Sequence, residues 1–349
     1  MSDVDEPLGA VPERDGSTPL VTVIVPIYNV EAYLDQCLSS LRSQTLKDFA
    51  VVCVNDGSTD ASRSIVTRFV NEDPRFSVVD QVNGGLSAAR NAGMRQATGT
   101  YVLFLDSDDY LAPEALSSLT QIADRDELDV LFFDGNSFFE TDELASEHSG
   151  YETYYTRSAD YTRPRSGSEL FAQMLKADDY RPSACLQLIS RRHYRDSNLG
   201  FVEGLIHEDN LFTFESLLTA RRAAHTPQAL YERRVRPGSI TTEARPRAEY
   251  FSALTTYVEM MRFTGEHDWP VSVRSAIASY VNRTLGRAVR HALELTDDEV
   301  SSAAHGDASV DVHVAVGAVL MQRREILRRR MAQESTAGKI RRKLRSTLT

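Results

Sequence analysis

Apolar positions follow two alternating rhythms along the first third of the chain. Val21–Val25, Phe49–Val54, Phe76–Val79, Tyr101–Leu105 and Val130–Phe133 are short, nearly continuous apolar runs, and each predicts a buried strand. Between them the spacing changes to that of helices. Leu34, Cys37, Leu38 and Leu41 fall at i, i+3, i+4 and i+7; Ile65, Val66 and Phe69 share one helical face; Gly84-Gly85 opens a helix running to about Ala97; and Pro113 stands where a helix begins. Strands that are apolar throughout, alternating with helices, predict an α/β fold with a mostly parallel central sheet flanked by helices.

From Asp134 to about Arg165 the pattern dissolves into polar, tyrosine-rich sequence (Tyr151, Tyr154, Tyr155, Tyr161), which predicts a long excursion. Ser168–Lys176 reads as a helix, a second helix starts near Glu208-Asp209, and Ala229–Val235 reads as a strand. From about Ala248 the chain reads as helices joined by short polar links. Three regions follow: an acidic, proline-bearing leader (residues 1–19) expected to be disordered, an α/β domain (20–241), and a helical C-terminal extension (242–349).

The 349 residues carry a formal net charge of −11, unevenly spread. Met321–Thr349 holds ten Lys/Arg against Glu325 and Glu334, so the rest is strongly acidic. An acidic body argues against nucleic acid as a partner, because phosphate backbones need a basic face. The basic tail suits peripheral contact with anionic lipid, or is simply a solvated helix end. No apolar run approaches the roughly 20 residues needed to span a bilayer. Cys37, Cys53 and Cys185 form no CxxC pair and no secretory signal is evident, which together predict a cytoplasmic protein, with the inner membrane face as its one peripheral location.

The polar clusters that break the apolar rhythm all follow strand ends, where parallel α/β sheets bind their ligands. Asp106-Ser107-Asp108 offers two carboxylates of the kind that hold Mg²⁺ or Mn²⁺ together with substrate phosphates. Alone, it could equally be a turn capping the Pro113 helix. Asp56, before Gly57-Ser58, can accept from a base or ribose, and is otherwise an ordinary turn residue. Tyr28 can lie against a base, and Asn29 can cap the next helix. Asn83-Gly84-Gly85 at a helix start leaves N–H groups free for an anion, with Arg90 one turn in. His207-Glu208-Asp209 opens a helix: a general base, or simply acids favoured in a first turn. Arg233, Arg234, Arg236 and Ser239 form a basic cluster able to clamp a diphosphate, or an exposed charged strand.

In this order, the stretches Val23-Ile24-Val25-Pro26-Ile27-Tyr28-Asn29, Val54-Asn55-Asp56-Gly57-Ser58-Thr59-Asp60, Asn83 through Asn91, and Phe104-Leu105-Asp106-Ser107-Asp108-Asp109 resemble family 2 glycosyltransferases of the GT-A fold. Glu208-Asp209-Asn210-Leu211-Phe212 resembles that family's acidic base motif, and Tyr231–Ser239 its tyrosine–arginine–glycine–serine segment. The resemblance covers roughly residues 20–241. It implies an inverting transfer of a sugar from a nucleotide-diphosphate donor, a UDP-sugar, to an acceptor hydroxyl in cell-surface polysaccharide or glycolipid synthesis, the acceptor being a saccharide or lipid-linked.

By the same resemblance Pro26, Tyr28, Asn29, Asp56, Gly84, Arg90 and Asp106 form the nucleotide side. Asp106 and Asp108 hold a divalent metal, and Asp209 is the base. Glu208, Arg234, Arg236 and Ser239 contact diphosphate or acceptor. Arg233 departs from the pattern, which has an aromatic residue there. Two rival readings remain open: a module that binds the nucleotide-sugar without turning it over, and a phosphatase of the haloacid-dehalogenase type. The second normally carries its Asp-x-Asp on the first strand, whereas three strands precede it here.

Overall fold

The computed structural model describes residues 18–237 and 246–296. The leader through residue 17, Ser239 and the basic tail lie outside the described residues. In chain order the elements are β1 (Val21–Ile27), α1 (Glu31–Arg42), β2 (Phe49–Asp56), α2 (Ser62–Glu72), β3 (Phe76–Gln81), α3 (Leu86–Gln96), β4 (Tyr101–Phe104), β5 (Tyr110–Leu111), α4 (Ala115–Arg125), β6 (Val130–Phe139), α5 (Asp142–Glu147), α6 (Gly167–Lys176), β7 (Gln187–Ser190), α7 (Arg191–Asp196), α8 (Asp209–Thr219), β8 (Ala223–Val235), α9 (Pro246–Gly265) and α10 (Val271–Ala292).

The strands form one sheet in the order β3-β2-β1-β4-β7-β6-β8-β5. β1 pairs in parallel with β2 and β4, β2 with β3, and β6 with β8, whereas β7 runs antiparallel to both its neighbours and β5 antiparallel to β8. The C-terminal ends of β1, β2, β4, β6 and β8 therefore share one edge. Every apolar run named above is a strand, and all are largely buried except β3, an edge strand in which only Phe76 is buried. β7 makes the sheet mixed: four residues slip between β4 and β6, too short to show a rhythm of their own.

The excursion begins later than the sequence predicts. β6 continues to Phe139, and its polar middle is buried rather than looped out. Asp134 accepts from Arg157 Nη1 (2.9 Å) and pairs with His225 Nε2 (2.7 Å), all three side chains being nearly inaccessible. A carboxylate paired in the interior looks like a loop residue in sequence because its partners lie far along the chain.

Helix α3 carries Arg90 toward the sheet edge, and Gly93 sets how closely it packs. A Cβ there would stand 2.3 Å from Ile24 Cγ2 on β1. Alanine in a helix interior gains about 1 kcal/mol over glycine, but overpacking a core costs about 1–3 kcal/mol. Gly93→Ala is thus expected to lower the denaturation midpoint, and an unchanged or raised midpoint in urea would show that α3 can back away from β1.

The C-terminal helices α9 and α10 pack on each other and against α8 and α6. Tyr250, Leu254, Leu285, Ala288, Val289, Ala292 and Leu295 form their own apolar cluster. No helix among the described residues is long and apolar enough to cross a membrane.

Candidate active site

The loops after β1 and β2 hold each other. Asn29 adopts a left-handed conformation (φ 49°) and its Oδ1 accepts from Thr59 N (2.8 Å). Asn29 thus ties two loops together instead of capping α1. The N–H groups of Val30 and Glu31 are taken by Ser62 Oγ and Asp60 Oδ2, while Glu31 returns a carboxylate oxygen to Ala61 N. Each helix start is capped by the other's loop, which satisfies donors that would otherwise be orphaned. This exposes Tyr28, half of whose surface is open to solvent at the end of β1. Pro26 is buried in β1 opposite Val54, past the point where β4 stops pairing, so its missing N–H costs no ladder bond.

Asp56 is buried at the end of β2. Its Oδ1 accepts from Gln81 Nε2 (2.7 Å) and Gly84 N (2.8 Å), and its Oδ2 from Gly85 N (2.8 Å). The Gly84-Gly85 amides expected to await an anion are therefore already bound to this carboxylate. The glycine loop is anchored, not open. Gly85 (φ 86°) needs the conformational freedom of glycine to make the turn into α3.

Arg90 is the junction of the site. It is 3% exposed, and donates Nη2 to Asp106 Oδ1 (2.8 Å) and Nη1 to Glu208 Oε1. Burial works against its charge, but the two carboxylates outweigh that and hold its pKa well above the usual arginine value. Glu208 is thereby turned inward and buried on Arg90. Its side chain, of which a diphosphate or acceptor contact is expected, is 6% exposed and reaches the site through Arg90. A single guanidinium joins the acidic turn after β4 to the start of α8, Arg90 and Glu208 being 118 positions apart in sequence.

In the turn after β4, Asp106 remains about a third exposed, and Asp108 is paired with Arg236 Nε (2.8 Å). Burial, then repulsion by Asp106, pushes the Asp108 carboxyl up, with Arg236 opposing. The third acid, Asp109, was not singled out in the sequence. It is buried and receives Tyr231 Oη–H (2.6 Å) and Arg234 N–H (2.7 Å), which fastens β8 to the turn. Burial and its two acidic neighbours hold its pKa well above the ordinary range. Arg234 donates Nε to the Asp108 carbonyl (3.0 Å) and lies over Tyr33 and Phe138.

Asp209 opens α8, partly solvent-accessible, beside Glu208. Burial first and the Glu208 charge second raise its pKa to about 7, against the pull of Arg90. A carboxylate poised near neutrality is matched to accepting a proton at ordinary pH. The structure thus gathers Tyr28, Asp56, Arg90, Asp106, Asp108, Arg236 and Asp209 along one sheet edge.

Among the described residues no three or more His, Cys, Asp or Glu side chains are gathered as a ready-made metal cage. Asp106 and Asp108 do fit the sparser mode of Mg²⁺ and Mn²⁺, in which one or two carboxylates bind and substrate phosphates complete the shell. Their mutual repulsion is what a cation between them would relieve.

This arrangement coincides with a match of residues 22–196 to the profile described as Glycosyl transferase family 2. The chain belongs to glycosyl transferase family 2. Among relatives, the uncharacterized glycosyltransferase EpsJ of Bacillus subtilis is 34% identical over 226 residues, 64% of this chain and 63% of EpsJ. Glycosyltransferase GlyA of Streptococcus pneumoniae is 33% identical over 225 residues, 63% of this chain and 31% of GlyA. The match therefore spans less than two thirds of either relative. Among solved structures, residues 1–349 of S. aureus TarS in complex with UDP align with TM-score 0.63 and 26% identity, covering 80% of this chain and 76% of that one. The fold is that of the GT-A members of the family.

Proposed function

We propose that this family member transfers a sugar from a nucleoside-diphosphate donor, with uridine as the nucleoside, to an acceptor hydroxyl, inverting the anomeric configuration. The observation that carries this is the Arg90 bridge, which sets a carboxylate titrating near pH 7 beside the acidic turn at the strand ends. The UDP bound by the TarS relative supports the choice of nucleotide. Tyr28 offers a face to the base at the crevice. Asp106 and Asp108 would hold a divalent ion, which when bound would offset the charge of the diphosphate.

In the reaction the acceptor oxygen attacks the anomeric carbon while the bond from that carbon to the diphosphate oxygen breaks. Asp209 takes the acceptor's proton and the nucleoside diphosphate leaves with the bonding pair. One displacement from the face opposite the leaving group inverts the centre. Arg236, now on Asp108, and Arg234 lie where negative charge grows as the diphosphate departs. Asp56 acts on the donor pocket through the loop it anchors.

Calorimetric titration with UDP, with and without Mn²⁺, tests the donor half. Binding strengthened by Mn²⁺ in the wild type, with that gain lost in Asp108→Ala, is the expected result. UDP binding that ignores both metal and substitution would remove the acidic turn from the donor site.

A further inference from the structure

On β8, Arg233 meets a group of tyrosines to which the donor reading gives no task. Tyr151, Tyr154 and Tyr155 form a run of touching rings, with His148 stacked at one end. Centroid separations are 5.1 Å for His148–Tyr151, 5.9 Å for Tyr151–Tyr154 and 4.9 Å for Tyr154–Tyr155. Two arginines back this strip: Arg181 lies 5.3 Å from the Tyr154 ring, and Arg233 lies 5.4 Å from those of both Tyr151 and Tyr155. The position that departs from the family pattern thus serves as a cationic support for aromatic rings supplied by the excursion. Tyr154 is 42% exposed, one of few large apolar-bodied side chains so open among the described residues.

The strip meets the acidic turn through Arg233, whose neighbour Arg234 donates its backbone N–H to Asp109 (2.7 Å). Asp209 is among the charges that oppose ionisation of Tyr155, Tyr180 and Tyr280. Tyr280 in turn stands edge-on to Tyr180 (5.0 Å) and donates to Asn210 Oδ1 (3.4 Å), the residue after the base.

We infer that Tyr154 and Tyr155 form part of the acceptor subsite, and that it takes a pyranoside lying with an apolar ring face on Tyr154. This rests on the transferase reading, since Asp209 needs an acceptor hydroxyl within its reach. Pyranose rings present C–H groups on one face and hydroxyls at the rim. An open aromatic ring complements that C–H face, as binding sites are lined largely by apolar and aromatic side chains. The arginines hold the strip in shape by cation–π contact with rings other than by packing alone.

Saturation-transfer NMR tests this with methyl β-D-glucopyranoside, methyl β-D-galactopyranoside and N-acetylglucosamine, each with and without UDP. The wild type is expected to transfer saturation to ring protons of at least one of the three. Tyr154→Ala should weaken that sugar's binding by about five- to tenfold, the scale of one aromatic contact, and Tyr154→Phe should retain it. UDP affinity should be the same in all three proteins. No transfer from any of the three sugars to the wild type, or full binding in Tyr154→Ala, overturns the subsite. Loss of UDP binding in the wild type would instead overturn the donor reading, and the sugar titrations without UDP would still decide the subsite.

Discussion

Asp209→Asn will bind UDP as tightly as the wild type and lose sugar transfer by about 10²–10⁴-fold, the usual worth of a positioned general base. The amide has the same shape but cannot accept the proton, so the loss should fall on kcat and leave donor KM nearly unchanged. The wild-type pH profile gives an independent reading of the same group. Only the carboxylate form is a base, so activity should rise with pH through about 7, the value to which burial and Glu208 push Asp209. An ordinary exposed aspartate would place that rise near pH 4. A profile flat between pH 5 and 8, or an Asp209→Asn enzyme retaining near-wild-type turnover, would mean the proton goes elsewhere.

The second large effect is expected at Arg90. Its guanidinium sits between Asp106 and Glu208, and Glu208 is almost inaccessible. Arg90→Met leaves Glu208 as a buried charge without its counter-ion, a change that typically costs about 3–5 kcal/mol. Urea denaturation should show it as a large fall in midpoint. Arg90→Lys should recover little, because an ammonium cannot present a planar fork to two carboxylates at once. The same substitution has a kinetic signature. Arg90 lowers the Asp209 pKa, so its removal should move the rising limb of the pH profile upward. A stability loss under about 1 kcal/mol, the scale of an exposed ion pair, would show that Arg90 is not the junction of the site.

The strands of the first half were legible because β1, β2 and β4 are buried on both faces and carry almost nothing but apolar residues. What the sequence concealed is held by partners far apart in the chain. Asp134 looks like the start of a loop until Arg157 and His225 are seen around it. β7 has four residues and no period, and only the gap between β4 and β6 makes it a strand. In the site, the acids and arginines were recognisable by type, but their partners were not. Asp56 was recognisable as a carboxylate at a strand end, but not its bonds to Gly84 and Gly85. Glu208 was recognisable as an acid at a helix start, but not its pairing with Arg90. Asp109 read as a third member of an acidic run, yet it fastens β8 through Tyr231 and the Arg234 backbone. A sequence shows which residues can carry charge at a strand end, whereas which of them remain available depends on long-range pairing.

The junction of β4 with β7 is a narrow part of the sheet's interior, only Tyr101 and Val102 being in register with Ser190 and Ile189. On one side lie the strands that carry Tyr28, Asp56 and Asp106; on the other, those that reach Arg236. Much of what crosses this seam near the crevice is the machinery itself: Arg90 to Glu208, Asp109 to Tyr231, Arg234 to Asp108. On the proposed mechanism, the edge that carries the reagents is also the one that fastens two halves of a sheet. Catalysis and cohesion would then be inherited together, so drift at this edge would be doubly constrained, and new specificity would have its freedom in the tyrosine-rich excursion instead.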